Sequence, residues 1–115
     1  MRPGTGLGNV VPFPGAPIPQ QVGFERFELM RILDLYGRMV SAGEWRDYAM
    51  DFLRDRAVFS IYKRASERPL YVVEKQPKLR NKQGQYLVLS QEGRVLKRGH
   101  ELSTVLRVLE LAVVK

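Results

Sequence analysis

The chain has no cysteine and only one histidine among its 115 residues. Without thiols it has no disulfide, thiolate nucleophile or zinc–cysteine site, and one imidazole is too few for a histidine-rich metal site. We therefore expect no metal and no cofactor, and the cysteine-free composition favours a reducing, cytoplasmic location. The usual nucleophile–base pairs are also missing, so we expect a protein that is not an enzyme.

Charge is missing from the start of the chain, since no residue from Pro3 to Phe24 is ionisable. Five prolines and five glycines in this stretch exclude a membrane-spanning helix and the apolar core of a signal peptide. We predict a disordered or polyproline-II-like arm over residues 1–23, a single domain over residues 24–115, and no membrane association.

Two segments have the apolar period of an amphipathic helix. The first starts at Glu25 and stops at Gly43; its predicted buried stripe is Leu29, Ile32, Leu33, Tyr36, Met39 and Val40. The second is His100–Val114, with Gly99 or His100 as its cap; its predicted stripe is Leu102, Val105, Leu106, Leu109 and Val113. Each stripe needs an apolar surface to cover.

Five segments between these helices have strand character, namely 48–53, 57–64, 70–75, 85–90 and 94–98. The first is ambiguous, because Trp45, Ala49 and Phe52 also have helical spacing. Residues 54–56 and Glu92-Gly93 are typical of turns. The pattern predicts an α+β fold, in which an antiparallel meander sheet of four to five strands has both helices packed on one face.

Strand alternation divides the predicted sheet into two faces. We expect the helices to cover the apolar face: Ala57, Phe59, Ile61, Leu70, Val72, Leu87, Leu89 and Leu96. The other face is mixed: Val58, Ser60, Tyr62, Arg64, Tyr71, Val73, Lys75, Tyr86, Val88, Val95 and Lys97. Its valine content suggests a cover, which is the arm, a second copy of the chain or a ligand. We expect Leu33, Phe59, Ile61, Leu89 and Leu106 to share one buried cluster.

Positive charge is concentrated on the predicted sheet and its loops. The net charge is +7, and residues 54–98 hold twelve basic and four acidic residues. Aromatic side chains flanked by cations on an open sheet bind single-stranded nucleic acids in several folds. The candidate binding residues are Tyr62, Arg64, Tyr71, Lys75, Lys78, Arg80, Lys82, Tyr86 and Lys97. An acidic protein is the other anionic partner to consider, and the alternative function is a protein-interaction or homodimerisation module that uses the Tyr/Val face.

Two stretches, LYGRMVSAGEWRDYAMDFLRDRAVFS and ERPLYVVEKQPKLRNKQGQYLVLSQEGRVLKRGHELSTVL, resemble an uncharacterised bacterial family, the domain of unknown function 2794. The likeness extends from Phe24 to Leu109 and implies no activity, cofactor or catalytic residue. It implies a family signature that includes Trp45, Arg46, Asp47, Tyr48, Arg98 and His100, as either a site or an architectural corner. We expect Trp45 to anchor the corner between the first helix and the sheet, with Arg46 and Asp47 in local polar contacts.

Overall fold

A computed structural model describes residues 20–64 and 68–113, so most of the predicted arm lies outside the described residues. The elements are α1 (Arg26–Ser41), β1 (Asp47–Phe52), β2 (Ala57–Tyr62), β3 (Tyr71–Lys75), a 3-10 turn (Pro77–Leu79), β4 (Tyr86–Ser90), β5 (Val95–Gly99) and α2 (Leu102–Val113). The predicted α+β fold is confirmed. Neither helix in this part of the chain combines the length and apolarity needed to span a bilayer.

The five strands form one antiparallel sheet in the order β1-β2-β3-β4-β5, so each strand pairs with its neighbour along the chain. The ambiguous segment is a strand, and its Met50 lies opposite Phe59 of β2. Gly43 ends α1 with φ 79°, as the helix-stop prediction requires. The chain then turns directly into β1, which places the end of α1 at the end of the sheet where β1 starts.

Both helices pack on the same face of the sheet. The buried cluster contains Ile32, Leu35, Met39, Trp45, Phe59, Ile61, Val73, Tyr86, Val88, Leu102, Val105, Leu106 and Leu109. The described part of the α2 stripe is therefore confirmed. The α1 stripe is rotated from its predicted position, because Val40 is exposed and Glu28 is buried in line with Ile32, Leu35 and Met39. Leu33 is only partly buried in this cluster.

The register of β3 and β4 differs from the predicted one. Phe59 lies opposite Val73, and Val73 lies opposite Val88. Opposed residues project to the same face, so the face under the helices (the helix-covered face) carries Tyr71, Val73, Lys75, Tyr86 and Val88. The other face (the helix-free face, over which neither described helix lies) carries Val58, Ser60, Val72, Leu87 and Leu89. The predicted faces of β3 and β4 were wrong, because both strands are apolar on both sides.

Candidate functional site

The loop Gln76–Gly84 (the basic loop) presents exposed cations at the end of the sheet where β3 stops. They are Lys78, Arg80 and Lys82. The backbone N–H groups of Lys82 and Gly84 both donate to the carbonyl of Leu79 at 3.0 Å. Pro77 opens the 3-10 turn, where its fixed φ suits the first position and its missing N–H costs nothing. The three cations are therefore carried by an internally hydrogen-bonded turn.

The β1–β2 turn lies beside the basic loop and adds a fourth exposed cation, Arg54. Its carboxylate, Asp55, accepts hydrogen bonds from Arg56 Nη2 at 3.0 Å and Arg56 Nε at 3.3 Å. The hydrogen bond from Arg56 is the main reason that the pKa of Asp55 lies below its usual range, and the charge of Lys78 lowers it further. The negative charge of Asp55 is therefore compensated mainly by Arg56 of the same turn.

Arg56 also belongs to a polar cluster on the helix-free face. Its Nη1 donates to Glu74 Oε1 at 3.0 Å, and Gln76 Nε2 donates to the same oxygen at 2.8 Å. Glu74 is only 7% exposed. We call Asp55, Arg56, Glu74 and Gln76 the Glu74 cluster. It ties the β1–β2 turn to the start of the basic loop.

A second polar cluster is enclosed on the helix-covered face and was not predicted. Lys75 Nζ donates to Glu28 Oε1 at 2.8 Å and to the carbonyl of Gly23 at 3.1 Å, and the Tyr86 hydroxyl donates to Glu28 Oε2. The backbone N–H of Glu25 donates to Glu28 Oε1 at 2.7 Å. Glu28, Lys75 and Tyr86 (the Glu28 cluster) are 2%, 8% and 5% exposed.

The chemistry of the Glu28 cluster is structural. Burial raises the pKa of Tyr86, and the hydrogen bond and charge of Glu28 raise it further, so the phenol keeps its proton and remains a donor. The opposite charges of Glu28 and Lys75 compensate each other at 2.8 Å. A signal for this cluster exists in the sequence, since Glu28 continues the spacing of Ile32, Leu35 and Met39 by one turn.

The predicted nucleic-acid-binding residues are spread over several surfaces. Lys75 and Tyr86 are enclosed in the Glu28 cluster, and Tyr71 is half-buried on the helix-covered face, 6.5 Å from Trp45 between ring centroids. Tyr62 is half-buried on the helix-free face, while Arg64 and Lys97 are exposed elsewhere. A shared open face for Tyr62, Tyr71 and Tyr86 is therefore wrong, because a one-residue change of register moves β3 and β4 side chains to the other face. The candidate residues that lie together on an exposed surface are the three cations of the basic loop.

The signature residues around Trp45 form a packed corner. Trp45 is buried, with its ring centroid 6.1 Å from that of Tyr36. Tyr48 meets Tyr36 edge-on at 5.0 Å and stacks on Phe59 at 4.8 Å. The N–H of Arg46 donates to the carbonyl of Tyr62 at 2.8 Å, and Asp47 Oδ1 accepts from the N–H of Tyr48 at 2.8 Å. The predicted Trp45 corner is confirmed. Burial, followed by the charge of Asp47, raises the pKa of Tyr36.

A backbone crossing lies beside Arg98 and His100, the other two residues of the predicted signature. A Cβ added to Gly84, which has φ +104°, would lie 2.3 Å from the carbonyl carbon of Gly99. This crossing requires glycine at position 84, and it holds the end of the basic loop against the end of β5. Of the flanking residues, His100 is exposed, and the Nη1 atom of Arg98 is buried without a hydrogen-bond partner.

The arrangement offers little for metal or cofactor chemistry. No group of three or more histidine, aspartate or glutamate side chains that could hold a metal ion occurs among residues 20–64 and 68–113. Glu28, an enclosed carboxylate, already accepts hydrogen bonds from Lys75, Tyr86 and the Glu25 N–H. The candidate site that stays on an exposed surface is the cationic basic loop.

Comparison with known proteins gives a family and no activity. A family model described as a protein of unknown function, DUF2794, matches residues 22–106. No curated protein and no solved structure matches the chain significantly. The Trp45 corner, the Glu28 cluster, the basic loop and the Gly84–Gly99 crossing all fall inside the matched region. The sequence resemblance is thereby confirmed, and the chain belongs to the DUF2794 family.

Proposed function

We propose that this domain is a non-enzymatic binding module for single-stranded nucleic acid, and that the basic loop supplies the phosphate contacts. The supporting observation is the exposure of Lys78, Arg80 and Lys82 on an internally hydrogen-bonded turn. Residues 76–85 include no acidic residue. Phosphate contacts of this kind supply essentially all of the affinity in non-specific nucleic-acid binding.

The surroundings of the basic loop favour an anion as well. Both helices begin at this end of the sheet, because the first turn of α1 meets Lys75 and Tyr86 while α2 follows directly after β5. Their dipoles therefore add positive potential there. Arg54 is exposed on the neighbouring turn, and Asp55 is compensated by Arg56.

The short spacing of the cations favours a single strand. Lys78, Arg80 and Lys82 lie within five residues of chain. A flexible single strand can bring successive phosphates to such a short stretch, whereas a duplex holds its phosphates on a stiff helix. Because Tyr71 and Tyr86 lie on the helix-covered face, the proposal includes no base stacking on them, and we expect little dependence on base sequence.

The decisive experiment removes the three cations together and compares the result with a matched control. The test variant is Lys78→Gln/Arg80→Gln/Lys82→Gln. The control, Lys63→Gln/Arg68→Gln/Arg94→Gln, removes the same charge from exposed positions at the opposite end of the sheet. Labelled poly(dT) is titrated at several salt concentrations. If all three cations contact phosphates, the test variant should lose about 2 from the slope of log K against log salt, at about 0.7 per contact.

Three outcomes would contradict this proposal. The first is wild-type binding weaker than about 100 μM at low salt, since non-specific binders usually exceed that affinity. The second is an equal loss in the slope of log K against log salt in both triple variants. That result would indicate that binding depends on the net charge of the protein and not on the basic loop. The third is equally strong competition by polyglutamate, which would favour an acidic protein as the partner. A duplex of the same length tests the preference for single strands.

The proposal also includes a cytoplasmic location, supported only by the absence of cysteine. The alternative function is homodimerisation through the Tyr/Val residues. These residues do not share one face of the sheet, so a dimer interface would have to use a different set of side chains. The observed pairing places Tyr62 on the helix-free face and Tyr71 on the helix-covered face.

A further inference from the structure

The helix-free face includes two rows of side chains that cross all five strands. One row is Asp51, Val58, Glu74, Leu87 and Arg98, and the other is Ala49, Ser60, Val72, Leu89 and Val95. We call them the charged row and the apolar row. Neither described helix lies over them, because both pack against Phe59, Val73 and Val88 on the other face. Val58, Val72 and Leu89 are half-buried and Val95 is exposed, whereas Ser60, Glu74 and Leu87 are already buried within the single chain.

The charged row ends in opposite charges. Asp51 is exposed on the edge strand β1, and Arg98 is half-buried on the edge strand β5. Between them, Glu74 is compensated by Arg56 at 3.0 Å. The helix-free face therefore has one acidic edge and one basic edge at the same height along the strands.

The two edge charges are complementary under one symmetry operation. A twofold axis parallel to the strands, passing above β3, brings β1 of one copy over β5 of the other and keeps each row at its own height. Asp51 of one copy then faces Arg98 of the other, and the symmetric pair forms at the same time. A twofold axis across the strands would instead place Asp51 against its own copy.

The same operation matches the sizes of the apolar side chains. Ser60, a small residue, lies opposite Leu89, and Ala49 lies opposite Val95. Val72 and Glu74 both lie near the axis and face their own copies, and each Glu74 keeps Arg56 as its counter-charge at 3.0 Å. In the charged row, Val58 lies opposite Leu87. Small residues facing large ones in the apolar row allow two sheets to approach to about 10 Å with aligned strands, as in β-sandwiches.

We propose that a second copy of this chain covers the helix-free face, forming a twofold homodimer with two Asp51–Arg98 pairs at its edges. The face is five strands wide and about five residues long, which corresponds to roughly 24 by 16 Å. This is less than the ~800 Å² per partner of a standard stable interface. The dimer is therefore weak, with a dissociation constant in the micromolar range or above.

The test measures the mass of the full, nuclease-treated chain by sedimentation equilibrium over a concentration series up to about 500 μM, which covers the range expected for a small interface. The mass should rise from the 13.2 kDa of one chain towards twice that value. Asp51→Arg should weaken self-association about tenfold or more, because both edge pairs become repulsive. Asp34→Arg, the same change at an exposed site on α1, is the control and should associate as the wild type does.

Mixing two variants gives the sharpest result. Asp51→Arg has two basic edges, and Arg98→Asp has two acidic edges, so each repels itself. Their mixture restores both attractive pairs and should form a heterodimer at least as well as the wild type forms its homodimer. If Arg98→Asp does not fold, Ala49→Arg serves instead: its bulky charge in the apolar row should abolish association. A wild-type chain that stays at 13.2 kDa, wild-type association of Asp51→Arg, or a folded pair that does not associate on mixing would each overturn the proposal.

Discussion

Glu74 and Lys75 are neighbours in β3, yet their side chains lie on opposite faces of the sheet and in different environments. Each is paired, Glu74 with Arg56 at 3.0 Å and Lys75 with Glu28 at 2.8 Å. The partners differ, because the Arg56 side chain is 34% exposed and that of Glu28 is 2% exposed. A charge that loses its partner is therefore expected to be costly only where it cannot reach water.

The largest effect should come from removing the enclosed carboxylate. Glu28→Ala leaves Lys75 buried without its counter-charge and Tyr86 without its acceptor, so we expect a loss of about 3–5 kcal/mol in the free energy of unfolding. Chemical denaturation at neutral pH measures it. The control is Glu110→Ala, which breaks the exposed pair with Arg38 and should cost less than about 1 kcal/mol. Equal losses of unfolding free energy in both variants would show that enclosed and exposed ion pairs contribute equally to stability, which would contradict this prediction.

A smaller effect is expected from the phenol of the Glu28 cluster. Tyr86→Phe removes one hydrogen bond to a charged group, which corresponds to about 1.5–3 kcal/mol at neutral pH. The pKa of Tyr86 is raised in the folded state, so its contribution is complete below the unfolded tyrosine pKa of about 10 and falls as the pH rises above it. The difference between Tyr86→Phe and the wild type should therefore shrink between pH 10 and 12. A difference in unfolding free energy that stays constant over this pH range would contradict the hydrogen bond from the Tyr86 phenol to Glu28.

The smallest effect should come from the Glu74 cluster. Glu74→Gln removes the counter-charge of Arg56, but Arg56 keeps Asp55 and has access to water. We expect a loss below about 1.5 kcal/mol. Glu28→Gln is the matched change on the other face and should cost more in the same denaturation experiment. If Glu74→Gln lowers the free energy of unfolding more than Glu28→Gln does, burial of the partner does not determine the loss of stability.

The sequence predicts the elements of this fold well because local signals mark their ends. Gly43 stops α1, residues 54–56 and Glu92-Gly93 form the predicted turns, and five strands follow in meander order. The exposure of the basic loop was also predictable, since three cations in nine residues have no reason to be buried. Its role in binding stays a prediction.

The faces of the inner strands were not predictable by alternation. Tyr71-Val72-Val73 and Leu87-Val88-Leu89 are apolar at every position, so a shift by one residue leaves the buried apolar area nearly unchanged. Lys75 and Tyr86 were misplaced for a related reason, since polar side chains are normally assigned to solvent. Only their pairing with Glu28 makes the burial favourable, and that pairing joins residues 47 and 58 positions apart.

The adjacent charges of β3 restrict how this strand can slide against its neighbours. A displacement by one residue in one direction would put Glu74 at the position of Lys75, where it would face Glu28. A displacement in the other direction would put Lys75 at the position of Glu74, where it would face Arg56. The first repulsion, between two carboxylates, would act among buried side chains, where water screens charges least. The second, between two cations, is weaker because Arg56 has access to water. Each one-residue shift that hydrophobic burial alone would tolerate therefore meets a like-charge contact, so two neighbouring residues oppose slippage of β3 in both directions.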